Sequence, residues 1–129
     1  MTNSGTAPRT ELIRSTVTAY LAAVASGTAD TIAALYTEDA TVEDPVGSEP
    51  RAGRDAITEF YRALESMKTS TELFTLRVAG NEAAFSFRVD SEAAGQTYRI
   101  EPIDVMTFDD EGRITSMRAF WSPEDMRAL

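Results

Sequence analysis

The residues of this chain that could do chemistry are carboxylates and phenols. Histidine and cysteine are both absent. That removes Ser-His-Asp and Cys-His nucleophilic sites, zinc fingers, haem ligation by either residue and the usual catalytic zinc sets. The 7 glycines are scattered and build no phosphate-cradling loop. An enzyme made from this sequence would work through Asp, Tyr or backbone groups, with no cofactor and no metal. Two aspartates stand out by position. In Thr41-Val42-Glu43-Asp44-Pro45-Val46-Gly47-Ser48-Glu49-Pro50, Asp44 ends a β-branched run, and the proline after it disfavours the α region. Alternate side chains of an extended segment share a face, which groups Asp44 with Ala40, Val42 and Val46 and turns Glu43 to solvent. Further on, Tyr98, Ile100, Pro102, Asp104, Met106 and Phe108 form one row, and Asp104 is its one ionisable carboxyl. Burial disfavours the charged form and raises the pKa. A carboxyl that keeps its proton is a hydrogen-bond donor, and one that loses it is a base.

Each aspartate also has a plainer reading. Asp44 could open an Asp-Pro turn with a solvated side chain. Asp104 could pair with an arginine such as Arg118 or reach solvent at a rim, and a bulge at Pro102 would break its register. Tyr20, Tyr36 and Tyr61 each fall on the inward stripe of a different helix. Buried phenols seek partners, so these three could be linked, or they could be independent core tyrosines. Phe60, Phe85, Phe87 and Trp121 are core or pocket lining. Met117, Ala119 and Trp121 share a strand face on which the small Ala119 leaves room for a flat ligand.

The elements that must position these groups follow from the hydrophobic period. Thr10 is the expected N-cap of a first helix whose stripe is Leu12/Ile13, Val17, Tyr20/Leu21 and Val24, with Gly27 at its end. A shorter helix is expected from about Asp30 to Tyr36. A third starts near Arg54 and carries Ile57, Phe60, Tyr61 and Leu64 inward. From Ser70 the period becomes two. Thr71 to Val78 and Ala83 to Val89 are strands joined by Gly80-Asn81, and Ser91 to Gln96 is a longer turn. Tyr98 to Phe108 is the longest strand, and Arg113 to Trp121 is the last. The expected class is α+β, with helices packed on one face of an antiparallel-rich sheet.

With 129 residues, the chain is one domain with a substantial core. A net charge of -9 argues against nucleic acid or an anionic membrane as partner. No stretch is apolar enough to span a bilayer. Residues 1–9 read as a flexible tail without a secretory signal pattern, and the cytoplasm is the default location.

An inward tyrosine on the first helix, Glu43-Asp44-Pro45-Val46-Gly47-Ser48-Glu49-Pro50 and the late Pro102-Ile103-Asp104 together resemble the bacterial Δ5-3-ketosteroid isomerases. These belong to the NTF2-like, or SnoaL-like, superfamily. The likeness covers about Thr10 to Trp121. It implies a cone-shaped fold, three helices on a curved, mostly antiparallel sheet enclosing an apolar pocket, and a homodimer formed through the open sheet face. It implies a small apolar 3-oxo-Δ5 steroid as substrate, with Asp44 as general base and Tyr20 and Asp104 as oxyanion donors. Tyr36 and Tyr61 match positions that extend the hydrogen-bond network behind the first tyrosine. Val42, Phe60, Phe85, Phe87, Met117, Ala119 and Trp121 make up the apolar substrate site. The chain departs from the pattern in its longer N-terminal tail, in Val105 and in local acidic residues. The same superfamily holds polyketide cyclases, epoxide hydrolases and non-catalytic binding domains. An arginine set between Asp44 and Asp104 would mark an epoxide hydrolase.

Overall fold

The computed structural model describes residues 6–129. Helix α1 (Thr6–Ser26) turns Ile13, Val17, Tyr20 and Leu21 into the core, each at most 6% exposed. Thr10 lies within this helix instead of capping it. The expected tail is therefore helical from Thr6, and residues 1–5 lie outside the described part. An ion pair from Arg9 to Asp110 at 2.6 Å ties down this first turn, a tertiary contact that the apolar stripe could not reveal. At the other end the Gly27 N–H donates to the Ala23 carbonyl at 2.7 Å, and a Cβ on Gly27 would come within 2.9 Å of that oxygen.

Helix α2 (Ala29–Ala33) is capped by Thr28, which accepts from the Thr31 N–H. It is shorter than its pattern suggested. Tyr36 is the first residue of strand β1 (Tyr36–Glu43), not the end of a helix. The cause is tertiary: Tyr36 pairs with Ile114 of β7 (Ile114–Phe120). Strand β2 (Arg51–Ala52) returns antiparallel to β1. Gly53, at φ +93°, then turns the chain into α3 (Arg54–Arg62), which buries Ile57 and Tyr61. Leu64 lies beyond that helix and is 37% exposed.

The remaining strands are β3 (Lys68–Ala79), β4 (Glu82–Ala93), β5 (Gln96–Ile100) and β6 (Ile103–Phe108), followed by β7 and the short β8 (Arg127–Ala128). Gly80-Asn81 joins β3 to β4 as expected. The turn predicted over Ser91 to Gln96 shrinks to Ala94-Gly95, both at positive φ (54° and 81°), the conformation that suits a tight hairpin. The long strand predicted from Tyr98 to Phe108 is two strands, broken at Glu101-Pro102, because proline has no N–H for the ladder. The side-chain parity survives the break, and Pro102, Asp104, Met106 and Phe108 are all buried.

The strands form one sheet in the order β2-β1-β7-β6-β4-β5-β8, with β3 also paired to β4. Every pairing is antiparallel except β1 with β7. Helix α1 packs over β3, and α3 packs over β1, giving the expected α+β layering. The inward face carries Phe85 and Phe87 of β4, Asp104 and Met106 of β6, and Met117 and Ala119 of β7.

Candidate active site

Asp104 sits mid-sheet on the covered face, with Ala119 opposite on β7 and Phe85 opposite on β4. It is 1% exposed, the one charged or polar residue among the described residues to be so buried. Its Oδ1 has no hydrogen-bond partner. Burial drives its pKa well above the carboxylate range, and the nearby charge of Asp44 pushes it the same way. The alternative partner, Arg118, faces away and bonds Glu43 at 3.2 Å while stacking over Phe120. Neighbouring strands explain this choice, since Glu43 and Arg118 are register partners of β1 and β7.

Asp44 follows directly on β1, and the next backbone contact holds it in place: the Val46 N–H donates to the Ala119 carbonyl at 2.8 Å. The Asp44-Pro45 peptide bond is cis. Its carboxylate is half-buried and accepts a bond from Trp121 Nε1 at 2.7 Å. Burial raises its pKa, while the Trp121 donor and then the positive charge of Arg51 act to lower it. Arg51, opposite Val42 on β2, lies with its guanidinium 4.4 Å from the centre of the Phe60 ring. The two carboxyls therefore differ in kind. Asp44 has a donor and a nearby cation, and Asp104 has neither.

The three tyrosines are joined. Tyr61 bonds Tyr20 at 3.0 Å and Tyr36 at 2.7 Å through their hydroxyls, and all three rings are at most 4% exposed. For Tyr20 the bond from Tyr61 works against the rise that burial imposes, and Tyr36 does the same for Tyr61. The three hydroxyls therefore form one chain, Tyr36 to Tyr61 to Tyr20, in which either member of each pair can donate. Asp104 and Asp44 both act electrostatically on Tyr20, so the phenol and the two carboxyls occupy one low-dielectric neighbourhood.

A cavity of about 390 Å³ opens beside Asp44. Phe60 and Trp121, both expected to line a site, are among its walls, together with Val89, Ile100, Tyr98 and Met126. The other expected lining residues, Val42, Phe85, Phe87, Met117 and Ala119, are at most 4% exposed and belong to the core cluster around Asp104 and Tyr20. The sequence reading missed three features. The Trp121 indole is a donor to Asp44, Arg51 stands beside that pair, and Tyr98 and Met126 build the outer wall. Tyr98 carried a signal, since it shares the alternating row of Asp104. The Asp44–Trp121 pairing spans 77 positions and carried none. Among the described residues no three carboxylates gather closely enough to hold a metal ion, and no helix is long and apolar enough to cross a membrane.

Residues 17–117 match the SnoaL-like domain family. A curated relative, the Steroid Delta-isomerase of Nocardioides simplex, is 58% identical over 114 residues, 88% of this chain and 93% of its own. Among solved structures, SalBIII, an epoxide hydrolase/cyclase-like enzyme with a role in pyran ring formation in the polyether salinomycin, superposes with a TM-score of 0.85. It is 30% identical over 91% of this chain and 95% of its own. RV0760c from Mycobacterium tuberculosis superposes with a TM-score of 0.85 at 19% identity, over 92% of this chain and 96% of its own. That last likeness is one of fold.

Proposed function

The chain belongs to the SnoaL-like domain family, and on that premise we propose that it is a steroid Δ-isomerase, moving a double bond from Δ5 to Δ4 in 3-oxo-Δ5 steroids. The observation that carries the mechanism is the contrast between two electrostatically coupled aspartates, Asp44 on the cavity wall and Asp104 buried in the core. Asp44 has a donor and a cation to favour its ionised form. Asp104 is buried and partnerless, so it keeps its proton.

The carbon-4 proton of such a substrate is acidified by the adjacent ketone and alkene. Asp44 removes it, and the electron pair moves into a dienolate whose charge rests largely on the ketone oxygen. A carboxylate is a weak base, so that oxygen must be stabilised as its charge develops. Tyr20 and neutral Asp104 donate to it. Ketosteroid isomerase is itself the general reference case for an aspartic acid kept neutral in order to donate. Each preorganised donor of this type contributes roughly 3 to 4 kcal/mol. Asp44 then returns the proton to carbon 6, and the alkene comes into conjugation. One carboxyl is base and then acid, so no net proton is consumed. The flat hydrocarbon skeleton binds by burial. About 200 to 300 Å² at ~25 cal/mol per Å² gives about 5 to 8 kcal/mol before entropy losses.

The epoxide-opening alternative has support from the likeness to SalBIII, but its Asp-Arg-Asp arrangement does not fit. Arg51 acts on Asp44, while Asp104 has Asp44 as its charged neighbour and no guanidinium. The outer sheet face supports a homodimer. There Ile103 and Phe120 lie opposite each other across β6 and β7, 50% and 42% exposed.

Incubation with 5-androstene-3,17-dione should give rising conjugated-enone absorbance, and Asp44→Asn should slow kcat by about 10²- to 10⁴-fold. No turnover, or an Asp44→Asn enzyme as fast as the parent, would refute this function.

A further inference from the structure

The inward residues of β4 form a ruler running away from the oxyanion donors. Phe85 lies opposite Asp104, Val89 opposite Ile100 and Ser91 opposite Tyr98, with Ala93 at the end of the strand. At about 3.3 Å per residue, Val89 stands about 13 Å, Ser91 about 20 Å and Ala93 about 26 Å along the strand from the level of Asp104. Even if sheet curvature shortens each span by about a quarter, Ser91 remains about 15 Å away. The four-ring skeleton is shorter. With bonds of about 1.5 Å, its ketone oxygen and carbon 17 are about 11 Å apart.

A substrate whose ketone reaches Tyr20 and Asp104 therefore ends, as a bare skeleton, short of Val89 or level with it. The cavity does not end there. Ser91, Ala93, Tyr98 and Met126 still belong to its wall. Tyr98 and Met126 are 44% and 45% exposed, apolar surface that a longer ligand would cover. Met126 arrives on a C-terminal strap, held by β8 pairing to β5 at Tyr98 and Ala128, and its thioether can adapt to a branched chain. The polar residues at this outer end are Ser91, Tyr98 and Arg99, and the Arg99 guanidinium is bound to the Asp90 carboxylate at 2.8 and 2.9 Å; the rest of the lining is apolar.

We propose that the substrate carries an aliphatic side chain at carbon 17, seated between Ser91, Ala93, Tyr98 and Met126, which make up a specificity site for that chain. This rests on the isomerase reading, which fixes the ketone end. The chain is remote from the reacting carbons and is bound equally in ground and transition states, so it acts through KM and not kcat. Each buried methylene strengthens binding about 4-fold.

The test compares kcat/KM for 5-androstene-3,17-dione, 5-pregnene-3,20-dione and 5-cholesten-3-one, which carry no chain, a short chain and a long branched chain. The expected result is a rise along the series, at least about 10-fold from first to last, expressed in KM. Ala93→Phe and, separately, Met126→Trp, each checked for a native circular-dichroism melt, should lower the long-chain to no-chain ratio at least about 10-fold. A flat or falling series, or a ratio unmoved in both folded variants, overturns the proposal while androstenedione turnover still upholds the isomerase. Absence of turnover on all three substrates overturns both.

Discussion

Replacing Tyr61 by phenylalanine removes one oxygen and both hydrogen bonds of the phenol relay. The Tyr61 hydroxyl bonds Tyr20 at 3.0 Å and Tyr36 at 2.7 Å, and neither of those hydroxyls has another partner among the described residues. Tyr20 is 4% exposed and Tyr36 is fully buried, so water cannot readily take over. Each buried hydroxyl left unsatisfied costs about 1 to 3 kcal/mol, which puts the loss of stability for the two at about 2 to 6 kcal/mol. For a domain of this size that lowers Tm by about 8 to 24 °C. The effect on rate is separable. Tyr20 keeps its hydroxyl but loses the one hydrogen-bond partner that orients and polarises it, a deficit of about 1 kcal/mol, or about 5- to 10-fold in kcat with KM little changed. Tyr20→Phe, which deletes the donor itself, should lose about 10²- to 10³-fold. The assays are calorimetry and steady-state enone formation. A Tyr61→Phe enzyme as stable and as fast as the parent would refute the relay, and so would a deficit confined to KM.

Two further substitutions probe the carboxyls. Trp121→Phe removes the Nε1 donor from Asp44, so the Asp44 pKa, already raised by burial, rises further. Because the base must be ionised, the acid limb of the kcat/KM profile should move to higher pH; an unmoved or lowered limb would count against Asp44 as base. Asp104→Asn keeps a neutral donor and should cost about 10-fold or less in kcat, against about 10²- to 10³-fold for Asp104→Leu. It should also change the pH dependence of stability. Folded Asp104 keeps its proton where the unfolded chain, titrating near the ordinary 3.8, has lost it. The native state then binds more protons, and stability falls as pH rises above about 4. Asp104→Asn abolishes that fall, so its stability relative to the parent should improve from pH 3 to pH 7 in urea melts. A constant difference across that range would mean that Asp104 is ionised in the folded protein.

The placement of both aspartates was legible because it depends on local parity. Asp104 kept its inward position even though Pro102 split the strand, since the residues from Pro102 onward hold a period of two. Tyr36 was misread for a related reason. Ile32, Leu35 and Tyr36 satisfy a helical spacing, but the pairing of Tyr36 with Ile114 depends on a strand 78 positions away. Long-range pairing also explains β8 and the helical start at Thr6, each secured by contacts that no local window contains. Trp121 was legible as an aromatic near a pocket, but its donation to Asp44 was not, because it depends on where β7 ends relative to β1.

That end point also decides how two identical side chains come to have opposite environments. β7 borders both β1 and β6. Its Ala119 faces Asp104 with a methyl group, which desolvates the carboxyl and offers it no polar atom. Two residues later the same face presents the Trp121 N–H to Asp44. One strand thus withholds a donor from the acid that the proposed mechanism needs neutral and supplies one to the acid that it needs ionised. Exchanging the two features should exchange the burdens. Ala119→Ser would offer Asp104 a hydroxyl donor and favour its ionised form, and an ionised Asp104 cannot donate to a dienolate and repels the charge on Asp44. The expected outcome is a fall in kcat of about 10-fold or more that steepens as pH rises, measured beside Trp121→Phe, whose loss should instead be relieved as pH rises. If both variants respond to pH in the same direction, the division of labour assigned to this strand is wrong.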